Sequence, residues 1–135
     1  MASTPVFSSV AQAAWASLTA ANTAKDGTGA VATVFTADAA AGSYLQKLIF
    51  RPRGSNVGSV ARVILNNGLS NATAANNSLI AEVGLPATTL TETAANAGAE
   101  LALNLNLAPG HAILVVLGTA VAAGWQVTGV GGALT

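Results

Sequence analysis

Few side chains in this 135-residue sequence can do chemistry: it has one histidine, no cysteine, five Lys/Arg and five Asp/Glu. His111 follows Pro109-Gly110, and no second histidine or cysteine can join it in a metal site or a nucleophilic relay. A general base needs placed partners, so His111 reads as a turn residue. The acids are Asp26, Asp38, Glu82, Glu92 and Glu100. Two carboxylates could converge as in a glycosidase, but nothing in their spacing points to such a pair. Gly27-Thr28-Gly29 lacks the lysine and the following helix of a phosphate-binding loop, and Gly129-Val130-Gly131-Gly132 lies at the end of the chain. Asn66, Asn67, Asn76 and Asn77 have no acidic neighbours of the kind calcium prefers. We expect no catalytic residue, metal or cofactor, and no enzyme.

One charge feature stands out. Lys47, Arg51, Arg53 and Arg62 are four of the five basic residues and fall close together, whereas Glu82, Glu92 and Glu100 come later. Two readings stay open: the opposite charges pair across neighbouring strands of one molecule, or the basic residues form a patch that meets acids on another protein. Ile49 and Ile64 share outward strand faces with Arg51 and Arg62, and apolar residues ringed by arginine fit an interface. The candidate interface is therefore Lys47, Ile49, Arg51, Arg53, Arg62 and Ile64. Nucleic acid is not an expected partner, since net charge is zero and aromatics do not interleave with the basic residues.

The elements that must position these residues read as strands. The clearest stretch is LALNLNLAPGHAILVVL, residues 101–117. Leu101, Leu103, Leu105 and Leu107 alternate with Ala102, Asn104 and Asn106, the period of a strand with one apolar face. Pro109-Gly110 then makes a turn, with glycine taking the positive φ of a type II corner. Ala112–Leu117 is apolar on both faces, as in a strand covered on both sides. Further strands are expected at 11–22, where alanines compete in favour of helix, and at 30–37, 44–52, 59–66, 78–85 and 124–130. Lys25–Gly29 carries Asp26-Gly27, a hairpin signal. Residues 66–77 and 87–97 read as loops. The expected fold is all-β: an eight-stranded antiparallel β-sandwich, a jelly roll, with an N-terminal arm over residues 1–13 ordered by contacts and a single domain over 14–135.

Charged residues make up only 7% of the chain and cancel to zero, against about 25% in an average soluble domain. A free molecule so thinly charged is poorly protected against self-association, so much of its surface is expected to be covered by other protein. The apolar run 107–125 is not expected to span a membrane, because Pro109-Gly110-His111, Gly118 and Gly124 interrupt it and basic flanks are missing. A carbohydrate-binding module would need an aromatic platform on one sheet face, and Trp15, Tyr44 and Trp125 lie far apart in sequence.

The strings WASLTAANTAKDGTGAVATVFTA, RPRGSNVGSVARVILNNG, NATAANNSLIAEVGLPATTLTE and GTAVAAGWQVTGVGG resemble small structural proteins of tailed bacteriophages, in particular the jelly-roll cement (decoration) proteins on the outside of phage heads. The resemblance covers most of the chain after the arm. It implies a non-enzymatic clamp on the outer capsid surface of the virion, bound to the major capsid protein, self-associating as a homodimer or trimer, and holding the shell against internal pressure. No site residues transfer, because the family has no site motif. A tail- or fibre-associated structural protein is the neighbouring alternative.

Overall fold

The computed structural model describes residues 8–134. Eight strands follow one another: β1 (Ser8–Leu18), β2 (Ala32–Thr36), β3 (Ser43–Pro52), β4 (Ser59–Asn66), β5 (Asn77–Leu85), β6 (Ala99–Leu107), β7 (Ala112–Leu117) and β8 (Trp125–Leu134). A single 3-10 turn, Ala74–Asn76, is the only helix among the described residues. The strands form two antiparallel sheets of four, sheet A in the order β1-β8-β3-β6 and sheet B in the order β2-β7-β4-β5. This is the expected β-sandwich.

Pairing is nested. The first strand pairs with the last, the second with the seventh, the third with the sixth and the fourth with the fifth; β3–β8 and β4–β7 then join these pairs into sheets. Only β4–β5 is a hairpin, and every other connection passes from one sheet to the other. The Asp26-Gly27 turn forms, with Gly27 at φ 81°, yet it sits in a crossover rather than a hairpin. Its local geometry holds while long-range pairing chooses the partners. Pro109-Gly110 turns as expected: the His111 amide donates to the Ala108 carbonyl at 3.0 Å and Gly110 has φ 75°.

Between the sheets lie Phe35, Leu45, Leu48, Phe50, Val63, Ile113, Val115, Leu117, Trp125 and Val127, all buried. Strand ends differ most from the sequence reading in β1, which spans Ser8–Leu18 rather than 11–22, and in β8. The arm boundary expected at residue 13 moves: Ser8–Ala13 form the first half of β1, paired with β8, and residues 1–7 lie outside the described residues. Strand β8 runs on through its glycines to Leu134 as a central strand. Those glycines are required by close approach. A Cβ at Gly131 would collide with the Tyr44 carbonyl, and one at Gly129 would crowd Phe35 at 3.3 Å. Alanine-rich β1 is a strand because β8 offers it ten paired positions, and tertiary pairing overrides intrinsic preference.

Each of the four edge strands carries one more residue than its neighbour at one point: β1 between Ser8 and Val10, β2 between Thr33 and Phe35, β5 between Ala81 and Leu79, β6 between Leu105 and Ala102. These are β-bulges. At the β6 bulge Asn104 has φ 47°, a conformation asparagine tolerates better than most residues.

One end of the sandwich is pinned by Asn56, which is buried. Its Oδ1 accepts from the amides of Ala123 (3.0 Å) and Gly124 (2.8 Å), and its Nδ2 donates to the carbonyls of Gly124 and Gly54 and to Thr88 Oγ1. One amide thus satisfies main-chain groups of two loops and a hydroxyl of a third. Removing it strands buried donors and acceptors, so Asn56→Ala is expected to lower unfolding free energy by about 3 kcal/mol. Urea denaturation of the two proteins checks this.

Candidate functional site

The six basic and apolar residues grouped by sequence do not form one patch. Lys47, Ile49 and Arg51 point outward from β3 on sheet A, with Arg53 just beyond it. Arg62 and Ile64 point outward from β4 on sheet B, the opposite side of the sandwich. Sequence proximity joined them, but the β3–β4 connection crosses between sheets.

The two outer faces are treated differently. On sheet B, the outward residues Ile64, Ala112, Leu114 and Val116 form a second apolar cluster, with Val31 packed on it. Ile64 has 0% exposure, so it is a core residue of its own chain and offers nothing to a partner. The cover is the chain's own loops. Asn71 Nδ2 donates to the carbonyls of Gly27 and Gly29, both at 2.9 Å, and Asn77 Nδ2 to that of Asp26 at 3.0 Å. Asn22 Nδ2 holds the other side of the same loop through Thr28 and Ala30. Side-chain amides thereby take over main-chain carbonyls that no strand satisfies. Asp26 secures the tip: the Thr28 hydroxyl (2.6 Å) and amide (3.0 Å) both donate to its Oδ1. These bonds, the hydroxyl first, hold its carboxyl below its ordinary value. A depressed carboxylate contributes at neutral pH and loses that contribution as pH falls through the lowered value.

On sheet A no such cover exists among the described residues. Ala14 and Ala16 of β1 pack inward, which turns Ala11, Ala13, Trp15 and Ser17 outward. Register lays Trp15 beside Thr128 and Thr128 beside Ile49, and Ala13 beside Val130 and Val130 beside Lys47. Trp15 is 63% exposed, and Ile49, Val130 and Tyr44 are each half-buried. A shallow hollow of about 530 Å³ opens among Ala11, Ala13, Tyr44, Gln46 and Val130. Tyr44 is held there by its hydroxyl, which donates to Asn104 Oδ1 at 2.6 Å. Two of the three aromatics that looked scattered in sequence therefore share a face; Trp125 is buried in the core.

Among the described residues charges pair within the chain at two points. Lys47 Nζ lies 3.4 Å from Glu100 Oε2 on sheet A, and Arg62 Nε lies 2.9 Å from Glu82 Oε1 on sheet B. Arg62 and Glu82 are directly opposed across β4 and β5, so the cross-strand reading holds for them. Exposed pairs of this kind contribute about 0.2–1 kcal/mol. Arg51 and Arg53 are in neither pair: Arg51 Nη2 donates to the Asn96 carbonyl at 3.1 Å and Arg53 Nη1 to Ser17 Oγ at 3.2 Å. Gly98 makes room for the Arg51 guanidinium, since a Cβ there would sit 2.6 Å from Nη1.

No carboxylate lines any of five surface depressions among the described residues, and no group of three His, Asp or Glu is placed to hold a metal there. Asp38 is engaged in capping its own turn, accepting from the amides of Ala40 and Ala41. His111 borders a hollow with Asn67, Asn76 and Ser78 and no acid. Comparison of the chain with protein-family models, with curated proteins and with solved structures gives no match.

The contrast between the two isoleucines is measurable. Ile64→Ala is expected to cost about 3 kcal/mol, the range for emptying a packed core site, whereas Ile49→Ala on the open face should cost under about 1 kcal/mol. Chemical denaturation of the two variants checks it, and equal costs would contradict the assignment of faces.

Proposed function

We propose that this chain is a structural protein of a tailed-phage virion: a cement protein that binds the outside of the head and clamps adjacent major capsid protein subunits without covalent bonds. The observation that carries this reading is the unequal treatment of the two sheet faces: the β4–β7 face of sheet B is closed by the chain's own loops, while among the described residues the outer face of sheet A is left open, with Trp15, Ile49 and Val130 set among polar side chains. An open face of that kind serves attachment. The nested strand order supports the finer reading of a jelly roll, the architecture that the resemblance implies. The scarcity of charge fits a molecule whose surface is shared with neighbours. Self-association as a homodimer belongs to the same reading. Reinforcement by such a clamp comes from buried area repeated over a lattice, with about 1,200–2,000 Å² at each contact. Heads assembled without this protein should lose integrity at lower temperature and under milder osmotic shock than complete heads. Light scattering and release of packaged DNA measure both, and identical thresholds would contradict the clamp.

Trp15 and Tyr44 on one face favour a second reading, a carbohydrate-binding β-sandwich. The register separates them by about 13 Å along the strands and about 10 Å across them, so they would serve separate sugar units of an extended chain. Glycan-array binding lost in both Trp15→Ala and Tyr44→Ala would favour it. The fringe of Arg51 and Arg53 beyond Ile49 and Thr128 fits a protein surface better than a neutral glycan.

A further inference from the structure

We infer that the outer face of sheet A is the docking surface of this protein, and that its partner is an acidic protein surface with an apolar recess for Trp15. The inference rests on the virion reading above and adds which face docks and what chemistry receives it.

Trp15 is the largest apolar side chain left exposed among the described residues, and it stands on β1, paired along its length to the central strand β8. The side chain is therefore displayed from a braced backbone, so little ordering is lost when it is buried. Tryptophan in that setting is the residue type most often found to dominate an interface. On the same face lie Ala13, Thr128, Ile49 and Val130, small or half-buried residues that a partner seated on Trp15 would cover.

Charge selects the occupant. The face and its margin carry Lys47, Arg51 and Arg53 against Glu100 alone, and Glu100 is already engaged with Lys47. Pairing this face with itself about a two-fold axis would double that imbalance and bring like charges together. A second copy is thus a poor fit here, and any homodimer must use another surface. A partner that sets carboxylates opposite Arg51 and Arg53 complements the face, because arginine forks bind carboxylates at two points. Among the described residues no acid pairs with either arginine: Asp26 and Asp38 are bound to their own turns, Glu82 pairs with Arg62 on the opposite side, and Glu92, exposed in the loop before β6, makes no ion pair with them.

The test uses the full-length protein and heads purified without it. Wild type, Trp15→Ser, Arg51→Gln with Arg53→Gln, and the opposite-side control Leu69→Ser are titrated onto those heads at several salt concentrations, after circular dichroism shows each variant folded. Leu69 is 65% exposed, in the loop that covers sheet B. Trp15→Ser should weaken binding at least about 30-fold, as a central anchor does. The arginine variant should bind more slowly and lose most of the salt dependence of wild type, and Leu69→Ser should bind as wild type. Wild-type binding with Trp15→Ser and the arginine variant unimpaired would overturn the docking face while leaving the cement reading in place. No binding by wild type would overturn the cement reading, and this inference with it. Sedimentation showing a wild-type dimer that Trp15→Ser turns into monomer would assign the face to a second copy and overturn the acidic partner.

Discussion

A β-sheet has two faces, and stacking two sheets hides only one face of each. The rest of this structure follows from how the remaining pair is handled. For sheet B the chain does the work itself: Val31, from the segment before β2, packs on Ile64, Ala112, Leu114 and Val116, and the outward side of β4 and β7 becomes a second core. For sheet A nothing comparable is found among the described residues, and β8 and β3 keep a semi-apolar exterior beside the exposed Trp15 of β1.

Folding a loop onto a sheet buries main-chain polar groups away from any ladder, and each must find a partner or cost about 1–3 kcal/mol. Asparagine solves this here because one amide carries both donors and acceptors. Asn22, Asn71 and Asn77 close the loops over sheet B, and Asn56 gathers three loops at one end. Ionised side chains would have to be desolvated to do the same job; neutral amides do not.

The strand pattern was legible from the residues because alternation reports faces directly. All eight expected strands are present, and the doubly apolar Ala112–Leu117 is indeed covered on both sides. What was not legible is which residues lie together. Arg51 and Arg62 are eleven positions apart, yet a crossover separates them by the thickness of the sandwich. Conversely, Trp15 and Tyr44 are brought onto one face by β8, whose glycines look like a strand's end when read alone. Gly131 is in the sheet because the Tyr44 carbonyl occupies the space of a side chain, a reason that exists only after the strands meet. Ile64 was correctly placed on an outward face, but periodicity cannot tell solvent from the protein's own loop. Asn56 gave no signal beyond being a loop asparagine.

The bulges at the four sheet margins have a consequence for life at high density. A straight margin offers an unbroken row of donors and acceptors, and identical molecules crowded together can seed one another into fibres along such rows. Here every margin is kinked at one point, so no copy can extend another's ladder over its full length. The molecule can be packed closely beside its own kind, its side chains rather than its backbone deciding what adheres to it.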